Sequence, residues 1–152
     1  MKRVEVKLNL EAVAPLLDVI KAAADELRPA LAANPDIPGQ DAEFAGVWQR
    51  ELLEGQNDDL QVLLGLFGSD FFALGHIALE RGNSEAVLRA CSAVRLQLRA
   101  RHLAVLGDEA LESGEVPFEQ MTGEQQRAFG AYVFLATLQE LVVQHLDPTA
   151  QD

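Results

Sequence analysis

The chain has 152 residues, 49% of them hydrophobic and 6% aromatic, so it is long enough for one domain with a core and too apolar for extensive disorder. Its 12 basic and 24 acidic residues give a net charge of −12, which disfavours binding to nucleic acid or to anionic lipid. The single cysteine, Cys91, excludes an internal disulfide and a cysteine-based zinc site.

The N-terminal segment combines a strand pattern with a helix start. Apolar and polar residues alternate from Val4 to Leu10, and this period of two predicts a strand. Its candidate partner is the segment 115–118. Asn9 is the predicted N-cap of the first helix. Pro15 and Pro29 are predicted to mark breaks or kinks in that helix, because proline lacks the amide that a helix interior needs.

A loop and a second helix are predicted next. Residues 34–39 contain two prolines and a glycine, which is typical of a loop. The second helix is expected to begin near Asp41 and to break or kink at Gly55 and Asn57. Five of its residues are expected to share a partly buried face: Phe44, Val47, Trp48, Glu51 and Leu52.

Two short helices are predicted to follow. The first, Asp58–Phe67, is apolar enough to be mostly buried. The second is expected over Asp70–Arg81 with Ser69 as its cap, and Gly82 and Asn83 are expected to end it and to start the next helix.

The C-terminal half is predicted to contain two long helices joined by an acidic linker. The first covers Ser84–Leu106, and residues 107–121 are expected to be irregular. Thr122 and Gln125 have the spacing of a capping box, so the last helix should begin there and reach Leu146.

These two long helices are apolar almost all round, which places them inside a bundle. The predicted fold is therefore all-α: a compact helical bundle of about five or six helices with a short N-terminal β-strand. Residues 1–147 are predicted to form a single helical domain, and residues 148–152 a disordered C-terminal tail.

The first long helix is the basic part of an acidic chain, with the arginines Arg89, Arg95, Arg99 and Arg101. Acidic segments precede and follow it, so we expect the arginines to be neutralised within the protein rather than to bind nucleic acid. Arg101 falls beside the apolar face, and we expect it to be buried and paired. The candidate partners are Glu51, Asp59 and Asp70.

Signals for catalysis are weak. His76 and Glu80 are four residues apart on a predicted helix, but two ligands do not make a metal site. Cys91 faces the apolar side of its helix, where a cysteine is usually a small hydrophobic residue rather than a nucleophile. No catalytic residue, metal-binding set or cofactor is therefore predicted.

One ligand-binding hypothesis remains. If a pocket lies between the two central helices, it would bring together Arg95, Arg99, His102 and Tyr132. A small-molecule-binding or enzymatic helical bundle is the alternative function that this hypothesis supports.

The last helix carries a family resemblance. The segment Tyr132–Glu140 is similar to a pattern of Tyr, an aromatic, Leu, a small residue, and then Leu-Gln and an acid. With weaker matches at 42–44 and 94–98, the chain resembles a bacterial family named domain of unknown function 2017. Thr137 departs from the pattern, which usually has a second aromatic there.

The resemblance implies an all-α fold and supplies no catalytic residues. In some bacteria the family's genes lie near that of an adaptor for the Clp protease, which implies a link to protein turnover.

The function that we predict from the sequence is a non-enzymatic, cytoplasmic protein–protein interaction module. The chain begins without a secretory signal, and its apolar stretches contain charged residues, so neither export nor membrane insertion is expected. The expected partner is a protein. A homodimer is favoured, because one chain is not expected to cover the apolar face of the N-terminal strand.

Overall fold

The computed structural model describes residues 3–32 and 42–146, with side chains from residue 44 onward in the second range. Within these residues the chain forms six α-helices, two strands and one 3₁₀ turn. In order they are β1 Arg3–Lys7, α1 Leu10–Leu27, α2 Ala42–Gly65, α3 Ser69–Leu74, β2 His76–Glu80, α4 Arg81–His102, α5 Asp108–Ser113, the 3₁₀ turn Phe118–Gln120 and α6 Gly123–Leu146.

The predicted compact helical bundle with a short N-terminal strand is confirmed. The predicted loop at 34–39 and the predicted tail at 148–152 lie outside the described residues.

The N-terminal strand has a different partner from the one predicted. β1 pairs antiparallel with β2, with Val4 opposite Leu79 and Val6 opposite Ile77. The segment 115–118 is not in the sheet, so that prediction is wrong. Ile77 and Leu79 are fully buried, because the inner face of this small sheet packs against the helical core.

β2 occupies a segment that was predicted to be helical, and Gly75 explains the change. Gly75 has a φ of 76° and ends α3, and its carbonyl accepts a hydrogen bond from the Leu8 amide at 2.8 Å. The predicted helix over 70–81 is therefore divided into α3 and β2. Gly68 rather than Ser69 is the N-cap of α3.

α1 begins as predicted, since the side chain of Asn9 accepts a hydrogen bond from the Ala12 amide at 3.1 Å. Pro15 lies inside the continuous helix, so of the predicted break or kink the break does not occur. Val13 before Pro15 and Ile20 after it are both buried in the core, and this packing offsets the lost backbone donor.

α2 is one helix of 24 residues, so of the break or kink predicted at Gly55 and Asn57 the break does not occur. Instead, two polar side chains of α2 cap the C-terminal end of α1. Gln56 donates to the carbonyls of Leu27 and Ala30 at 2.9 and 3.0 Å, and Asn57 donates to the carbonyl of Arg28 at 3.1 Å. These bonds satisfy carbonyls that lack partners at a helix end, and they fix the angle between α1 and α2.

α4 and α6 are the central pair, as predicted. α4 begins at Arg81, three residues earlier than expected, because Glu80 and Asn83 form a capping box. α6 begins at the predicted capping box, in which Thr122 and Gln125 each accept the other's backbone amide, at 3.0 and 3.1 Å. Their contact buries a continuous set of side chains: Val87, Cys91, Val94, Leu98, Ala131, Leu135, Leu138 and Val142.

Candidate functional site

Two of the four predicted ligand-binding residues lie in direct contact. The guanidinium carbon of Arg95 on α4 lies 4.5 Å from the centre of the Tyr132 ring on α6, which is a cation–π arrangement. Arg95 also donates to the side-chain oxygen of Gln139 at 2.7 Å. These contacts tie α4 to α6.

Gln139 extends this network across the helix interface. Its amide nitrogen donates to the carbonyl of Leu88 at 3.0 Å and to the hydroxyl of Ser92 at 2.8 Å. Among the described residues, the side-chain amide of Gln139 thus bonds three residues of α4. Arg95 Nε is buried without a hydrogen-bond partner among the described residues.

Arg99 and His102 point to other partners. Arg99 forms an ion pair with Asp108 at the start of α5. His102 Nδ1 lies 3.7 Å from the carboxylate of Glu124 on α6 and lines a cavity of about 210 Å³ beside α1. The four predicted residues therefore belong to three separate sets of contacts, and their role in ligand binding stays a prediction.

Three of the four predicted arginines of α4, Arg89, Arg99 and Arg101, form ion pairs with neighbouring elements, whereas Arg95 contacts Tyr132 and Gln139 instead. Arg89 makes a two-pronged contact with Asp59 on α2 at 2.8 and 3.0 Å. Arg101 pairs with Glu26 on α1 at 3.1 Å, and its side chain is 62% exposed. Its predicted burial and its predicted partners are wrong, because the long side chain reaches along α1 to water.

Cys91 and His76 have potentially reactive side chains, but the surroundings of each favour a structural role. Burial raises the pKa of the Cys91 thiol from 9.0 to about 12, so the thiolate is strongly disfavoured at neutral pH. His76 and Glu80 stand at the two ends of β2, about 13 Å apart along the strand. The one-turn spacing needed for a shared metal therefore does not exist.

The N-terminal half of α2 presents a large apolar surface to solvent. Val47, Trp48 and Leu52 are 42%, 44% and 39% exposed. Phe44 is also exposed, and its ring stacks on Trp48 with 6.3 Å between centroids. The face is therefore partly buried, as predicted, but about two fifths of the surface of these side chains is open to solvent. We call these four residues, Phe44, Val47, Trp48 and Leu52, the α2 face.

A groove of about 570 Å³ continues the α2 face between α2 and α4. Leu52 belongs to both, and exposed Leu96 lies on the α4 side. Small residues on both helices make the concavity, because Gly55 and Ala93 supply little side-chain volume. We call this the α2–α4 groove, lined by Leu31, Ala32, Glu51, Leu52, Gly55, Gln56, Asp59, Leu88, Arg89, Ala90, Ser92, Ala93 and Leu96.

Acidic residues follow the groove along α2. Glu51, Glu54 and Asp58 are exposed and recur at intervals of three and four residues, so they lie on one side of the helix. Within the described part of the chain, none of the three forms an ion pair or a side-chain hydrogen bond. We call them the acidic stripe.

Sequence reasoning missed the groove for an identifiable reason. The apolar spacing of the α2 face was visible, but such spacing is the same for a buried face and for a binding face. The position of Gly55 was also visible and was interpreted as a helix break. A cavity depends on where α2 and α4 lie relative to each other, and no local pattern encodes that distance.

Searches for two other kinds of site give negative results. Among residues 3–32 and 42–146, no group of three or more His, Cys, Asp or Glu side chains is arranged to hold a metal ion. None of the helices in the same ranges has both the length and the apolar content needed to cross a bilayer.

The chain is similar to one family of known sequences. A family model described as Domain of unknown function (DUF2017) matches residues 8–146, which include all six helices and β2. Comparison with curated proteins and with solved structures finds no significant match.

Proposed function

The chain belongs to the DUF2017 family, and from that premise we propose that it is a non-enzymatic protein–protein interaction module. The observation that carries this proposal is the α2 face together with the α2–α4 groove. Apolar side chains that recur at helical spacing yet stay exposed are a feature of protein-binding surfaces.

The magnitude of the apolar surface supports this function. Complete burial of a large apolar side chain contributes about 1.5–3 kcal/mol. Val47, Trp48 and Leu52 keep about two fifths of their surface exposed, so covering each by a partner contributes roughly 1 kcal/mol. An aromatic anchor such as Trp48 is also the residue type that most often dominates binding energy in protein interfaces.

The alternative, a small-molecule-binding or enzymatic role between α4 and α6, receives less support. It requires Arg95 and Tyr132 to face a ligand, and these two side chains stack on each other instead. Gln139 holds Arg95 in that position. We also propose protein turnover as the cellular setting, on the family resemblance alone.

Affinity purification from the native cell, followed by mass spectrometry, tests the interaction function. We expect at least one protein to co-purify with the wild-type chain and to be lost with Val47→Asp, which places a charge on the α2 face. Val143→Asp is the matched control, since Val143 is an exposed valine on α6. Loss with both variants, or with neither, would count against an interaction through the α2 face.

The homodimer was predicted from the sequence because one chain was not expected to cover the apolar face of the N-terminal strand. Val4 and Val6 are half-buried against the core, and β1 is paired with β2 along one edge. An uncovered strand face therefore no longer argues for a dimer. Light scattering at micromolar concentration tests the state directly, because the monomer has a mass of 16.6 kDa.

A further inference from the structure

We infer that the α2–α4 groove binds an amphipathic helix of another protein, with lysine or arginine residues flanking its apolar positions. This inference rests on the proposed interaction function and adds the chemistry of the partner. Three features carry it: the shape of the groove, its length together with the α2 face, and the charge beside it.

The shape of the groove fits a helix. Leu52 on α2 and Leu96 on α4 supply apolar side chains on its two sides, while Gly55 and Ala93 leave space between them. A hydrophobic groove between two helices is the surface on which amphipathic helices dock, with apolar side chains at intervals of three and four residues.

The length of the surface sets the length of the partner. From Trp48 to Asp59, α2 advances by about 16 Å at 1.5 Å per residue. A partner helix of about three turns covers this distance. Such a helix presents three or four apolar side chains on one face, enough for the groove and for Val47 and Trp48 beyond it.

Charge complementarity defines the residues that flank the partner's apolar face. On the α2 side, the acidic stripe is exposed and forms no ion pair among the described residues, and the one cation of this helix, Arg50, lies beside Glu51 and one turn before Glu54. On the α4 side, Arg89 is already paired with Asp59 and lies near Glu85. The three acids of the stripe outnumber Arg50, so a net negative charge remains beside the groove, and it favours a partner with cationic flanks.

The same charge argues against a second copy of this chain as the occupant. Two copies that met through this surface would bring two acidic stripes together, and each chain carries a net charge of −12. Like charges across an interface disfavour the complex. We therefore assign the groove to a different protein.

The experiment measures peptide binding through Trp48, the only tryptophan of the chain. The probes are tryptophan-free synthetic helices of about 14 residues. They carry Leu, Ile, Phe or Met at the apolar positions and lysine on both flanks. A matched set has glutamate in place of every lysine. Trp48 lies on the α2 face one turn before Leu52, so a bound helix should shift its emission to shorter wavelength.

One variant fills the groove, and a second variant reverses the charge beside it. Gly55→Leu places a side chain where an added Cβ meets no atom within 4 Å, so it should occupy the groove without disturbing α2. Gly46→Leu is its control, since Gly46 also has open space on α2 and does not line the groove. The double variant Glu54→Lys/Asp58→Lys reverses the acidic stripe. Glu112→Lys/Glu119→Lys makes the same charge change on exposed residues elsewhere.

We expect at least one lysine-flanked peptide to bind, at least tenfold more tightly than its glutamate twin. Binding should weaken at least tenfold with Gly55→Leu and with the reversed stripe, and both controls should bind like the wild type. The charge contribution should also decrease as salt is raised.

Three results would overturn the inference: no peptide binds, glutamate twins bind as tightly, or Gly55→Leu has no effect. A wild-type dimer that Gly55→Leu converts to monomers would also overturn it, because the occupant would then be a second copy. In each case the interaction function itself is judged separately, by the Val47→Asp purification.

Discussion

The junction between Leu8 and Gly75 holds the N-terminal strand on the helical core, and the variant Gly75→Ala tests it. Gly75 has a φ of 76°, and a Cβ added there would lie 2.6 Å from the carbonyl oxygen of Leu8. That contact is with backbone and cannot be relieved by a side-chain rotation. The same two residues share the 2.8 Å hydrogen bond from the Leu8 amide to the Gly75 carbonyl.

The expected destabilisation has two parts. An L-residue in the left-handed region costs about 1–2 kcal/mol. The backbone at Leu8 must also move, which strains or breaks a hydrogen bond whose net contribution is about 0.5–1.5 kcal/mol. Gly75→Ala should therefore lower the free energy of unfolding by about 2–3 kcal/mol, which for a chain of this length lowers Tm by about 4–12 °C.

Gly114→Ala is the matched control. Gly114 also has a φ of 76° and also follows a six-residue helix, but an added Cβ meets no atom within 4 Å. It should therefore cost only about 1–2 kcal/mol. Each replacement makes the unfolded chain stiffer by the same amount, so that effect cancels in the comparison. Urea denaturation followed by circular dichroism measures both, and equal losses would refute the close contact between Gly75 and Leu8.

Three further outcomes are expected. The buried Cys91 thiol should react with an alkylating reagent only as fast as the protein opens, so fast labelling of the native protein at pH 8 would contradict its burial. The free energy of unfolding should include a contribution from keeping this thiol neutral. That contribution should be present below pH 9.0 and decline as the pH rises towards 12. Gln139→Ala removes three hydrogen bonds between α4 and α6 and should destabilise by about 1–3 kcal/mol in urea, whereas Thr137→Ala, whose hydroxyl bonds only within α6, should cost less. Arg101→Ala breaks an exposed pair with Glu26 and should cost at most about 1 kcal/mol, so a denaturation midpoint showing a larger loss would mean that the pair is buried.

The sequence predicted those parts of the fold that depend on local signals. The cap at Asn9 and the capping box at Thr122 and Gln125 were read correctly, because each is formed by residues within one turn of the chain. The long apolar helices were placed correctly inside the bundle for the same reason, since their composition needs no knowledge of their neighbours.

The failures occur where a distant residue decides the local structure. Residues 76–80 contain Ala, Leu and Glu, which favour a helix, but pairing with β1 some 70 residues earlier makes them a strand. The alternation of Ile77 and Leu79 with polar or small residues was the available signal. Likewise, asparagine is common at helix ends, which favoured a break at Asn57. Its side chain instead donates to the carbonyl of Arg28 and caps the end of α1.

In the candidate sites, the positions of residues on their helices could be predicted from the sequence, whereas their side-chain contacts could not. Arg95 and Tyr132 were correctly placed on facing helices, because helical spacing determines which side of each helix they occupy. Their stacking, the ion pair of Arg99 and the contact of His102 with Glu124 depend on side-chain positions in three dimensions. The amino-acid pattern could not distinguish a shared pocket from three separate contacts.

The α2 face shows that dependence on distant residues also limits the prediction of function from sequence. Val47, Trp48 and Leu52 have the spacing of a core-facing helix, which is also the spacing of the buried residues of α6 such as Leu135, Leu138 and Val142. The difference is that α6 packs against α1 and α4, whereas the first half of α2 leaves these three side chains exposed. Because an apolar face that the described residues leave exposed is typical of a protein-binding surface, the α2 face supports the interaction that we propose. The negative charge of the neighbouring acidic stripe then restricts which occupants are favourable.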